Sequence, residues 1–159
     1  MAVAVNTRRV TNRRKLRYQD LDEFLADAER MLRGPVHTIG NWTLPQIFDH
    51  LARSMTASMD GMNVSFPAAA RFILKFRKKK ILSSPMKPGF RCPRQVELAL
   101  RPREGLDADK SWADLRAAVS RFKTAPSFAD HPAFGKMTRD EWNQIALRHA
   151  ELHMSFVVP

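Results

Sequence analysis

Along most of this chain, apolar residues recur at the three- and four-residue spacing of helices that bury one side. The first run is Leu21, Phe24, Leu25, Ala28, Met31 and Leu32; Asp20 and Glu23 ahead of it have the spacing of an acidic cap and its N3 partner. Gly34-Pro35 stops it. A second helix is announced by Thr43-Leu-Pro45-Gln46, where Thr43 can cap the N3 amide, Gln46 can reach back, and Pro45 sits in a first turn that tolerates it. Its stripe is Leu44, Ile47, Phe48, Leu51, Met55 and Met59, and Gly61 ends it. A shorter basic segment over 67–81 carries Ala69, Phe72, Ile73 and Phe76 on one face. Pro85, Pro88, Pro93 and Pro102 then forbid a long helix and predict an irregular loop over 83–102, with room at 95–100 for a short strand or a turn of helix. A third long helix is expected from Asp109 or Ser111, capped by Ser111 and Asp114, with Trp112, Leu115, Val119 and Phe122 inward, and ends before Pro126. Thr138 and Glu141 form a further capping box before the last helix, which places Trp142, Ile145, Ala146, His149, Leu152, His153 and Phe156 on one face.

Four long amphipathic helices without a strand pattern predict an all-α fold, a four-helix bundle with a short extra basic helix and a long proline-rich loop between helices two and three. The 159 residues suit one domain, assigned to 18–159, preceded by a basic, aperiodic arm at 1–17 that is flexible or draped over the surface. No apolar run approaches the ~20 residues of a membrane span. The first residues lack a basic stretch followed by a long apolar one, so a cytoplasmic location is the expectation. One cysteine, Cys92, rules out an internal disulfide and a Cys-x-x-Cys zinc site, so any metal site must rest on histidine and carboxylate.

The last helix carries the candidate chemistry. His149 and His153 lie one turn apart on its apolar face, within reach of one ion from the same side. Burying two unpaired imidazoles would be costly. His50, beside the stripe of the second helix, supplies a third, and the three together predict a metal site with an open fourth position, the arrangement of catalytic rather than structural zinc.

Three stretches carry a family resemblance: Gly40-Asn-Trp42-Thr-Leu-Pro-Gln46-Ile-Phe-Asp-His50-Leu-Ala, His131-Pro-Ala-Phe134-Gly135-Lys-Met-Thr-Arg-Asp-Glu141-Trp142 and Arg148-His149-Ala-Glu-Leu-His153-Met-Ser-Phe156. In this order they resemble the DinB-like metal-binding four-helix bundles, and more narrowly a bacterial branch defined only as a domain of unknown function. The resemblance spans about residue 18 to the end. It implies an up-down-down-up bundle holding a divalent ion, usually zinc or nickel, on one histidine of the second helix and two of the last, matching His50, His149 and His153. It also implies activities such as thiol-dependent transfer and hydrolysis.

A base near such an ion would have to lie within hydrogen-bond reach of its water. Asp49, Glu151 and His131 are the candidates by position, although Asp49 and Glu151 each point about 100° away from the neighbouring ligand and read first as surface carboxylates. Trp42 and Trp142 read as core anchors. Cys92 lies in the long loop with no recognisable triad around it. The expected function is therefore a metal-dependent hydrolase or thiol-dependent transferase acting on a small molecule, with a low-molecular-weight thiol as one co-substrate and a homodimer as one assembly. The chain's 27 Lys and Arg against 16 Asp and Glu, a net charge of +11, cluster at Arg8 to Arg17 and Arg71 to Lys80. They keep open the alternative of a non-enzymatic protein that binds nucleic acid or anionic membrane.

Overall fold

The strongest helix-start signals act as their chemistry predicts. In the computed structural model, which describes residues 4–64, 66–89 and 93–159, Asp20 accepts the Glu23 amide and opens α1 (Leu21–Arg33). Glu23 reaches back one residue further than a capping box requires, to the Gln19 amide at 2.7 Å. The Thr43/Gln46 box opens α2 (Leu44–Asp60), which closes at Gly61, where φ is +86° and a side chain would be strained. The Thr138/Glu141 box opens α6 (Arg139–Met154).

Between α2 and α6 lie α3 (Ala68–Ser83), α4 (Arg94–Leu100) and α5 (Ala108–Thr124). The expected short element at 95–100 is thus a helix. The cap of α5 differs from the expectation: Asp107, not Ser111, accepts the Lys110 amide, and Ser111 is inside the helix with its hydroxyl donating to the Asp107 carbonyl. Two strands of two residues, β1 (His37–Thr38) and β2 (Val157–Val158), pair antiparallel with His37 opposite Val158. They are too short for an alternating pattern to reveal. Ile39 extends the pairing by donating to the Phe156 carbonyl, and Gly40 lies so close that a Cβ there would stand 3.0 Å from the Phe156 ring.

Among the described residues there are thus six α-helices, a 3-10 turn at Thr7–Arg9 and this small sheet. Helix α2 packs on α5 and α6, and α1 also packs on α5 and α6. Phe24, Phe48, Leu51, Leu115, Phe122 and Met154 meet in their shared core. No helix of the described residues is long and apolar enough to cross a membrane.

Helix α6 departs from its expected one-sided burial. Leu147, Ala150, Glu151 and Met154, on the side opposite the histidines, are the more fully buried, while Ile145, His149, Leu152 and His153 are half-buried. Neighbours on both sides explain this: α2 and α3 approach one flank, and α1 with the chain before it covers the other. Before α1, Arg14 donates to the Val157 carbonyl at 2.6 Å and makes a two-pronged bond to Asp27, and the Arg13 guanidinium donates to Ser155.

Candidate metal centre

Helix geometry brings three imidazoles to one point. His50 comes from the middle of α2, and His149 and His153 come from successive turns of α6. Nε2 of His50 stands 3.1 Å from Nε2 of His149, which stands 3.0 Å from Nε2 of His153, and the three ligand atoms lie within 4.8 Å of one another. The rings meet edge to face, with centroids 4.6–4.9 Å apart.

The tautomer of His50 follows from its other nitrogen. Nδ1 lies 2.7 Å from the Leu100 carbonyl, which can only accept, so Nδ1 carries the proton and Nε2 presents a lone pair. Burial lowers the pKa of all three rings: that of His50 falls despite its bond to Leu100, His149 is pushed down to about 3 by burial and by His50, and His153 falls well below its ordinary value. They are neutral near pH 7, as metal ligands must be.

A ring nitrogen either donates or accepts, and the His50 Nε2 only accepts. With His149 Nε2 between two neighbours, at most one of its two contacts can hold a well-placed proton, and at least one is left lone pair to lone pair or sharing that proton. A cation satisfies all three at once. Ligand bonds of 2.0–2.1 Å at tetrahedral angles place ligand nitrogens about 3.4 Å apart, close to the His50–His149 and His149–His153 spacings here. The residues fit a divalent ion on three imidazoles.

The surroundings position this group. Trp42, in the turn before α2, stacks on His153 with ring centroids 5.0 Å apart and planes 13° apart, and tilts against His50 at 4.8 Å. Trp42 also packs on the core, so it is an anchor, as the sequence suggests, and at the same time the wall of the imidazole cluster. Residues 99–103 are strapped to α2: Arg53 donates to the Ala99 and Arg101 carbonyls, and Asp49 accepts from the Arg103 side chain and its backbone amide. No sequence pattern announces this strap, because its acceptors are backbone carbonyls.

The three candidate bases each have partners of their own. Asp49 and Glu151 do point away from their neighbouring ligands, but into the protein rather than to solvent, being 2 % and 6 % exposed, which corrects their reading as surface carboxylates. Burial raises the Asp49 pKa, yet the bonds from Arg103 outweigh it and hold the carboxyl below its usual range. Glu151 pairs with buried Arg148 at 2.8 Å and accepts the Tyr18 amide at 2.8 Å. His131 accepts from the Ala133 and Phe134 amides through Nδ1, and its ring lies against Phe134 and Trp142. Burial and Lys78 push it down to about 4. Through these bonds His131 fastens the 131–135 turn against Trp142, which precedes His149 by two turns, about 10 Å along the helix. Cys92 lies outside the described residues.

Residues 10–159 match the family described as "Protein of unknown function (DUF1569)", and the chain belongs to it. No curated protein and no solved structure matches the chain.

Proposed function

We propose that this DUF1569 member is a metal-dependent enzyme, a hydrolase or thiol-dependent transferase, built on a DinB-like four-helix bundle of α1, α2, α5 and α6 with an up-down-down-up course. The mutual packing of those four helices around one core supports the bundle. The observation that carries the function is the convergence of the His50, His149 and His153 Nε2 atoms, neutral and at ligand spacing. Imidazoles suit zinc and nickel, the two ions favoured here. Such an ion, bound by three protein ligands, supplies a Lewis acid that polarises a carbonyl or lowers the pKa of a thiol or a water.

The chain's own residues have definable roles. His50 keeps its Nε2 lone pair on the cluster through the Leu100 bond. Trp42 walls one side and restricts water there. Asp49 and Arg103 hold the strap that carries the Leu100 carbonyl, and Glu151, with Arg148, fixes α6 between its two histidines. These are positioning residues, and the substrate is a small molecule, with a low-molecular-weight thiol as the co-substrate of the transferase reading.

The test is metal analysis coupled to turnover. Protein purified without an affinity tag should hold close to one zinc or nickel per chain, and His149→Ala should lose it. In a screen of ester, amide and thiol-transfer substrates, any activity should require both the ion and His149. A chain that takes up no divalent ion, or one whose turnover survives His149→Ala, would overturn the reading.

A further inference from the structure

Helix α3 turns its most apolar side away from the protein. Ala70, Leu74, Lys78, Ile81 and Leu82 form its inner side, with Leu82 buried and Lys78 paired to Glu141 of α6 at 2.7 Å. On the opposite side Phe72, Ile73 and Phe76 are 66 %, 59 % and 74 % exposed, and the two phenylalanine rings meet edge to face at 4.9 Å. Positions i, i+1 and i+4 fall within about 100° of a helix, so the three make one continuous patch. Single exposed apolar residues are ordinary; three large ones side by side mark a contact surface.

The charge around the patch identifies its partner. Arg71, Lys75 and Lys79 run along one flank, Arg77 lies on the other, and Lys80 lies one turn beyond Phe76 on the same face. All five are exposed, and α3 holds no carboxylate. We propose that α3 is a membrane-surface anchor that lies in the plane of an anionic lipid bilayer, with Phe72, Ile73 and Phe76 inserted at the acyl boundary and the five flanking cations on headgroup phosphates. Long basic side chains around a short apolar face are the arrangement such a helix needs, because their stems lie along the apolar layer while the charges stay at the phosphates. The helix is too short and too charged to span, which leaves the surface orientation.

Other occupants fit less well. Nucleic acid would answer the cations, but Ile73 offers no ring to a base, and burying three apolar side chains there gains nothing from a phosphate backbone. A second copy docking through the same face would bring two carboxylate-free basic helices together against their mutual repulsion. This inference is independent of the metal centre, since none of its residues touches the histidine cluster.

The experiment is flotation of the full chain with vesicles of phosphatidylcholine, with and without phosphatidylserine. Anionic vesicles should bind at least about tenfold more strongly than neutral ones, and the difference should shrink as salt is raised. The double variant Phe72→Ser, Phe76→Ser should weaken binding to anionic vesicles by about tenfold or more, with an unchanged melting curve, because both rings are solvent-facing. Lys75→Gln with Lys79→Gln and Lys80→Gln should reduce the preference for anionic lipid by a similar factor and serves as the second arm if the serine variant loses fold. Equal binding to neutral and anionic vesicles overturns the proposal. So does indifference to the phenylalanines, displacement from vesicles onto duplex DNA, or a dimer in sedimentation that depends on Phe72 and Phe76.

Discussion

The Nδ1–H of His50 donates to the Leu100 carbonyl over 2.7 Å, so the end of α4 decides which nitrogen of an α2 side chain faces α6. That bond depends on the strap of residues 99–103, and the strap depends on Asp49 and Arg53. Replacing Asp49 with Asn removes the charge that Arg103 answers without touching a ligand. Partners of this outer kind commonly contribute tenfold to a hundredfold to metal affinity. We therefore expect Asp49→Asn to weaken ion binding by about tenfold, measured by competition with a chelating dye. An unchanged affinity would remove Asp49 from any role at the centre.

The sequence makes the histidine cluster readable because all three ligands lie on or beside apolar stripes of long, well-capped helices, where periodicity is strong. Its supports are hidden for different reasons. Leu100 acts through a backbone carbonyl, Asp49 looks like a surface acid next to His50, and Trp42 has the same apolar character whether it fills a core or walls a site. The inner side of α6 is equally hard to read, since Arg148 and Glu151 enter the interior only as a mutually neutralising pair and therefore look like solvent-facing residues in the sequence. In α3 the sequence groups Phe72, Ile73 and Phe76 on one face but does not say which way that face turns; Leu74, Lys78 and Leu82 take the inner side and leave Phe72 and Phe76 outside.

An ion held on α2 and α6 ties two helices that are far apart in sequence. Any species that binds the folded chain and not the unfolded one raises stability, by about 2.7 kcal/mol at a hundred times its dissociation constant. Chelation should accordingly lower the melting temperature of the native chain by several degrees and leave that of His149→Ala almost unmoved. Equal sensitivity of the two proteins to chelator would place the bound ion somewhere else.

Trp142 is 5 % exposed and lies on Phe128 at 5.7 Å and His131 at 5.5 Å, so it joins the start of α6 to the preceding loop. Truncation to alanine should cost about 3–5 kcal/mol through lost burial and the cavity left behind. Trp142→Phe keeps a ring between those neighbours and leaves a smaller cavity, so it should cost clearly less than truncation to alanine. Urea denaturation of the pair separates a packing role from a polar one, since equal costs would mean that the ring itself is not what the site needs.

Asp27 is the most heavily bonded carboxylate outside the metal region, and it controls how stability responds to acid. Arg14 grips both of its oxygens at 2.8 and 2.9 Å, the Tyr18 hydroxyl donates at 2.5 Å, and Arg30 joins from the next turn. Burial alone would raise its pKa, but the bonds from Arg14 and Tyr18 outweigh that and hold it below the ordinary 3.8. A carboxyl whose pKa is lower in the folded than in the unfolded chain contributes its full stabilisation above the unfolded value and loses it as pH falls through the folded one. The relevant window therefore lies below about pH 4. Asp27→Asn should destabilise the protein by about 3 kcal/mol at pH 7, because Arg14 is left partly buried without its counter-charge. In urea titrations the gap between the two proteins should narrow steadily as pH drops below 3.8, because the unfolded carboxyl takes up its proton there before the folded one does, and the loss is complete once the folded carboxyl is protonated as well. A gap that stays constant down to the acid limit would mean that shape, and not charge, is what Arg14 and Tyr18 recognise at this position.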